Sequence, residues 1–263
     1  MKMVAAAKLR RAEENVTAAR PFAEKMREVL MSLAVRTDPT AHPMLESREP
    51  RKALLILITA DRGLCGGFNS NLIRRAEAFI KEMTGKGIGV DLLTVGRKGN
   101  DYFRRRPITI VKPFSNVMNN VSYELAGDIV AEAAKRFTDG EYEEVYVLFN
   151  RFRTAVTQIL TLRRLLPVAP EEPAPRQLEY LYEPSEEELI EAILPRYVQT
   201  QVFTALLDSV ASEQGARMTA MEAATSNAEE MIYKLTLKAN RMRQESITTE
   251  LMEIVGGAEA LKG

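Results

Sequence analysis

The sequence predicts an α/β fold in which N- and C-terminal helices form an antiparallel coiled coil and a mostly parallel sheet lies between them. Three observations predict it. Apolar and small residues recur at both ends in alternating steps of three and four, the 3.5-residue period of a coiled coil. From Arg196 to the end there is no Pro, and Gly215 is the one Gly before Gly256, so helix breakers are nearly absent. The middle alternates short apolar runs with helical patterns, which predicts strand–helix–strand units around a parallel sheet.

The first helix follows from the ladder Ala5, Leu9, Ala12, Val16, Ala19, Ala23, Met26, Leu30 and Leu33. Pro21 interrupts it and is expected to kink the helix or to cost about 3 kcal/mol. The segment TDPTAHPM reads as a loop. Ala53–Ala60 (ALLILITA) is a continuous apolar run suited to a buried parallel strand. Asn69–Lys86 reads as a helix with Asn69 or Ser70 as N-cap. Val90–Val95 and Ile108–Val111 read as strands, and Ser122–Phe137 as a helix. Val145–Phe149 is a further strand, followed by the alternating run Thr154–Leu162. Residues 167–176 (PVAPEEPAPR) form a Pro-rich linker, and Ser185 with Glu188 makes a capping box that starts the last helix. On that helix the seam runs through Met218, Met221, Thr225, Ala228, Ile232, Leu235, Ala239 and Met242. Small seam residues allow close approach, and Met adapts its shape. The same seams also suit an ordinary bundle core.

Composition excludes several function classes. The 263 residues carry 36 basic and 36 acidic side chains, without the basic excess of a general nucleic-acid binder. The zero is a sum of unlike parts. Residues 1–36 hold eight basic and four acidic side chains, net +4; 51–170 hold nineteen and twelve, net +7; 171–199 hold two and eight, net −6. One Cys excludes an intramolecular disulfide framework, and one His leaves little for a zinc site or a His-based triad. No apolar run approaches the roughly 20 residues that span a bilayer. Met1–Arg11 lacks the apolar stretch of a signal peptide, so none is expected.

The densest motif is Thr59–Leu72, TADRGLCGGFNSNL: a strand, a Gly-rich turn and a helix start. One reading is a phosphate cradle. The glycines at 63, 66 and 67 do not give the dinucleotide fingerprint, however, and no Lys-Ser/Thr pair follows them as in a P-loop. The other reading is a tight turn in which Gly66 and Gly67 take positive φ. Cys65 lacks an evident base and reads as a small, partly buried thiol. Arg104–Arg106 reads as a solvated helix end, and Glu183–Glu191 as a solvated helix start. Glu213, Arg217, Arg243, Gln244, Thr248 and Glu250 sit on a helix too long for its own domain to cover, which therefore needs a partner.

These residues resemble one family over the whole chain. TADRGLCGGFNSNL is similar to the Gly-rich signature of the gamma subunit of rotary F-type ATP synthases. SEQGARMTAMEAATSNAEEM and NRMRQESITTELMEIVGGAEA resemble that family's C-terminal helix, MKMVAAAKLRRAEE its N-terminal helix and YLYEP its foot loop. The resemblance implies a coiled-coil helix over 1–36, a Rossmann-like foot domain over 51–182 and a second coiled-coil helix over 185–263. It implies a central rotor shaft that transmits torque between the membrane c ring and the alpha/beta hexamer in proton-driven ATP synthesis, or in reverse pumping. No catalytic residue, cofactor or metal is then expected, and Gly63, Gly66 and Gly67 form a structural turn. Contacts to the beta subunits carry over to Glu213, Arg217, Arg243, Gln244 and Thr248. Contacts to the epsilon subunit and the c ring carry over to Tyr180, Tyr182 and Glu183. The implied place is peripheral, on the cytoplasmic face of the bacterial inner membrane, with no nucleic-acid partner. The Cys-bearing insertion of the chloroplast form is missing, so thiol regulation is not expected. Family members usually have about twenty residues before the position of Met1, so the chain is expected to begin inside the first helix. The alternatives are a cytosolic α/β enzyme that holds a phosphorylated ligand on the Gly-rich turn, and a coiled-coil adaptor.

Overall fold

The computed structural model describes residues 2–34, 42–168 and 186–261. Tyr180, Tyr182, Glu183, Ser185 and most of the Pro-rich linker lie outside the described residues. The chain divides into two compact units, Met1–Thr219 and Ala220–Gly263.

In the first unit, α1 (Lys2–Ala34) is followed by a 3-10 turn at Pro43–Leu45 and then β1 (Lys52–Ile58), α2 (Phe68–Gly85), β2 (Gly89–Val95), α3 (Arg97–Phe103), β3 (Ile110–Phe114), α4 (Tyr123–Thr138), β4 (Glu144–Phe152) and β5 (Gln158–Leu166). The last helix, α5 (Glu186–Ala260), belongs to this unit as far as Thr219. The sheet order is β3-β2-β1-β4-β5. β1 pairs parallel with β2 and β4, β2 parallel with β3, and only β5 runs antiparallel, against β4.

The apolar run of β1 explains its central place. Alternate side chains of a strand face opposite ways, so both faces of β1 must be covered. Leu54, Ile56 and Ile58 pack with α4, the end of α1 and the first part of α5. Ala53, Leu55 and Leu57 pack with α2 and α3. Helices on both faces of a mostly parallel sheet is the doubly wound plan. Ser122 caps α4 as expected, accepting a hydrogen bond from the Leu125 N–H at 3.1 Å. Neither expected cap of α2 does so. Gly67 is the N-cap and offers no side chain, because the Asn69 side chain is turned back to the Ala60 amide at 2.9 Å.

The N-terminal ladder is a buried seam. Ala5, Leu9, Ala12, Val16, Leu30 and Leu33 are buried, and Ala19, Ala23 and Met26 are half-buried. Pro21 does not end α1. It lies on the exposed face, where the carbonyl it frees one turn back can reach water. The partner is α5, antiparallel. Leu9, Ala12 and Val16 pack with Leu207 and Ala211, and further along α1 Met26 meets Thr200 at 3.6 Å. Leu30 and Leu33 join the core that holds Ile190, Leu194 and Val198. The stretch of α5 that pairs with α1 is thus 190–218, upstream of the expected seam. Of that seam only Met218 and Met221 are half-buried, and Thr225, Ala228, Ile232, Leu235, Ala239 and Met242 are exposed.

The second unit is the remainder of α5. From Glu222 to Ala260 every residue is exposed, including Met231, Ile232, Tyr233, Leu235, Met242, Ile247, Leu251 and Ile254. No helix among the described residues is long and apolar enough to cross a membrane.

Candidate functional site

In an open doubly wound sheet a ligand binds at the carboxyl ends of the strands, where the strand order reverses. Here the chain moves from β1 outward to β2 and β3 and returns to β4 on the other side of β1. The reversal therefore lies between β1 and β4. The Gly-rich turn leaves the end of β1 there, and α5 occupies the same place. Ser212 Oγ donates to the Asn150 carbonyl at 3.0 Å, and the Phe152 N–H donates to Asp208 Oδ1 at 3.3 Å. Thr219 Oγ1 reaches the Ala155 carbonyl at 3.4 Å. On the β1 side Ala216 packs against the cluster of Ala60, Cys65 and Phe68, and an Arg217 guanidinium nitrogen donates to the Gly63 carbonyl at 3.3 Å. Gly215 permits the approach, since a Cβ there would lie 3.0 Å from the Ala155 carbonyl oxygen and 3.1 Å from its Cα. The crevice where a nucleotide would lie is filled by the chain's own helix, and the turn is a seat for α5.

The turn is built for that seat. Leu64 and Gly66 take positive φ, at 62° and 55°. Gly67 does not, at −79°, which corrects the expectation that both adjacent glycines would be left-handed. Asn69 holds the loop from inside through the Ala60 amide and through a 3.2 Å contact from its Nδ2 to Cys65 Sγ. Cys65 is 1% exposed, and burial pushes its thiol pKa up, the opposite of an activated nucleophile. Asp61 is the residue that sequence reasoning passed over. Its Oδ1 accepts from the Arg97 and Asn116 amides at 3.0 and 2.7 Å, and its Oδ2 from the Met118 amide at 2.9 Å. One buried carboxylate thus ties the Gly-rich turn to the loops after β2 and β3. The motif TADRG contained that signal, because a carboxylate directly after a buried strand needs donors.

Glu213 and Arg217 meet at this seat. Their side chains are 2.6 Å apart on successive turns of α5, and Glu213 is nearly buried. Burial raises the Glu213 pKa, against the pull of Arg217 and Lys8. Arg243, Gln244 and Thr248 lie exposed in the second unit, where Arg243 leans on Asn240 at 3.4 Å and the Thr248 hydroxyl donates to the Gln244 carbonyl at 2.8 Å. Arg106 is a structural cation. It stacks 3.5 Å from the centroid of the Tyr102 ring and pairs with Glu77 at 3.3 Å. His42 accepts from the Met44 amide at 3.1 Å, and burial lowers its pKa.

The seam between α1 and α5 contains one titrating group whose sign is clear. Burial raises the Asp208 pKa, opposed by Arg20, whose guanidinium lies 3.7 Å away. A carboxyl whose folded pKa is raised favours folding while protonated, and that contribution is lost as pH rises out of the ordinary carboxylate range. Asp208→Asn keeps an acceptor for the Phe152 amide and removes the charge. Its unfolding free energy should therefore decline less than that of the wild type between acid and neutral pH, as measured by urea denaturation across that range. Parallel pH profiles would refute the sign.

The switch-point crevice of the sheet domain is thus filled by the chain's own helix, and from Glu222 onward that helix is exposed. The family model described as ATP synthase matches residues 1–261. The ATP synthase gamma chain of Geobacter metallireducens is 53% identical over all of this chain and 92% of its own length. The gamma chains of Desulfitobacterium hafniense and Moorella thermoacetica are 49% and 48% identical with the same coverage. A chain in the solved central stalk and c ring of the Tetrahymena thermophila mitochondrial ATP synthase has a TM-score of 0.65 at 28% identity, covering 86% of this chain and 97% of that one. A chain of the Euglena gracilis mitochondrial enzyme shares the fold, with a TM-score of 0.63 at 19% identity over 99% and 94% of the two chains. The chain belongs to the ATP synthase gamma-chain family and is a non-catalytic stalk component of that complex.

Proposed function

We propose that the chain is the rotor shaft of an F-type ATP synthase, turning with a membrane c ring and carrying torque into a hexamer of alpha and beta subunits. The observation that carries this reading is the contrast along α5. Up to residue 219 its side chains lock into a sheet domain and into α1. Beyond it the helix holds many large apolar residues, and none of them is buried among the described residues. Burial of such a surface is favourable by about 25 cal/mol per Å², so a surrounding partner is required.

A shaft must not slip on itself, and it must turn inside its sleeve. The first demand is met by close seam packing, the Arg20–Asp208 pair and the hydrogen bonds from α5 to Asn150 and Phe152. The second calls for weak contacts with a few polar catches. We assign those catches to Arg217, Arg243, Gln244 and Thr248, with the buried Glu213 holding Arg217 in place, because Arg stays charged and grips carboxylates bidentately. The foot is the sheet domain, in contact with an epsilon subunit and the c ring, and Tyr180, Tyr182 and Glu183 belong to that contact. The division into helices 1–36 and 185–263 around a foot of 51–182 is part of this proposal. So is a peripheral position on the cytoplasmic face of a bacterial inner membrane.

Arg217→Ala and Arg243→Ala should each lower ATP synthesis severalfold relative to hydrolysis in the reconstituted complex and weaken torque in single-molecule rotation. Arg243 is exposed and makes no buried pair, so its variant isolates the catch from the fold. Unchanged torque and coupling in both variants would remove the assignment. Failure of the chain to co-purify with alpha and beta subunits would remove the shaft reading itself.

A further inference from the structure

We infer that a recess between α1, the loop from β3 to α4, and α5 binds a small oxyanion of the phosphate class. This reading does not depend on the rotor assignment. The recess holds about 300 Å³, at the small end of the range for ligand pockets. Ala12, Met118, Val121, Leu207 and Val210 form its apolar wall. Its polar groups are Lys8 and Arg11 from α1 and the amides of Asn15, Asn119, Asn120 and Gln214, and no carboxylate lines it.

Gln214 is the decisive residue. It is 8% exposed, on the buried side of α5, and its side chain has no hydrogen-bond partner among the described residues. Its amide is nevertheless not sealed in the core, since the sealed polar atoms without partners are Thr94 Oγ1 and Ser209 Oγ. Its open side is the recess. A ligand with acceptor oxygens bound in the recess would accept from its N–H₂ group. The two cations decide the sign of that ligand. Arg11 offers a planar fork that matches a tetrahedral oxyanion. Lys8 adds a point charge, part of which acts on the Glu213 carboxylate that Arg217 already holds. α4 adds to the field, because Val121 stands just before its N-cap, Ser122, where the helix dipole is positive.

The loop is held open for the ligand independently of it. Asp61 fixes the Asn116 and Met118 amides, and Asn116 adopts a left-handed φ of 63°. Asn119 and Asn120 are thereby presented toward α1 without making side-chain bonds of their own among the described residues.

Isothermal titration calorimetry of the purified full chain with inorganic phosphate, at constant ionic strength in chloride buffer, tests the site. Saturable binding of one phosphate per chain is expected. Arg11→Gln and Gln214→Leu should each weaken it about tenfold, the scale of one charge-assisted or buried hydrogen bond. Lys98→Gln, on α3 outside the recess, should leave it unchanged. Arg11 is exposed, so its variant keeps the test intact if Gln214→Leu does not fold. No saturable heat at millimolar phosphate, or equal affinity in the wild type and Arg11→Gln, overturns the proposal.

Discussion

Gly96→Ala should abolish accumulation of the folded chain. Gly96 has φ +91°, and a Cβ on it would lie 2.0 Å from the Thr59 carbonyl oxygen and 2.7 Å from its carbon. Backbone cannot give way as a flexible side chain would. Relief requires parting the ends of β1 and β2, where the Thr59 N–H bonds the Val95 carbonyl at 2.8 Å and the Gly96 N–H bonds the Phe114 carbonyl at 2.8 Å. It would also dislodge Thr59 Oγ1 from the Gly99 amide, at 2.9 Å. A side chain held at that positive φ with extended ψ costs about 1–3 kcal/mol, and the overlap raises the loss beyond about 4 kcal/mol, a large share of ordinary domain stability. Gly85→Ala is the control. Nothing lies within 4 Å of its Cβ position at the last residue of α2, so Ala there should shift stability by no more than about 0.5 kcal/mol. Urea denaturation followed by circular dichroism measures both. A Gly96→Ala chain as stable as the wild type would refute the close approach.

Asp61→Ala should cost about 2–4 kcal/mol, because one buried and two part-buried amides lose their acceptor and an orphaned buried donor costs about 1–3 kcal/mol, with less than full additivity. The loss should be uneven in space. Amide hydrogen exchange should accelerate most at Arg97, Asn116 and Met118, the donors to Asp61, and less in β1, whose amides pair within the sheet. Since Arg217 grips the Gly63 carbonyl two residues away, the variant should also loosen the seat of α5 and lower coupling in the assembled complex. Uniform exchange across the domain, or a stability change under about 1 kcal/mol, would show that Asp61 is not the tie between the loops.

Much of the architecture was legible in the chain. Leu9, Val16, Leu30 and Leu33 fall on one helix face by their spacing alone, and that face is the buried one. The run ALLILI has no polar face, so it had to be a central strand. Ser122 lies at the start of a helical pattern, and it caps α4. Other features were not legible because they depend on groups distant in sequence. Asn69 reads as a cap until the amide of Ala60, nine residues earlier, takes its side chain. Gly67 reads as a left-handed glycine until Leu64 is seen to supply that turn. β5 reads as one more alternating run, and nothing local shows that it reverses against β4.

The same division applies to the site. The two heptad ladders specify that helices pair, because periodicity fixes which side chains share a face. They do not specify which stretch of a 75-residue helix meets the first, because the period persists along its whole length. That choice falls to contacts with the sheet: Ser212 on Asn150, Asp208 on Phe152 and Gly215 against Ala155. They set residues 190–218 against α1 and leave Ile232, Leu235 and Met242 bare. An α/β domain between two heptad helices was readable along the chain, because burial period and breaker placement are local properties. That α5 closes the ligand crevice emerged only on folding, because the closure rests on close approach between segments some 60 to 150 residues apart.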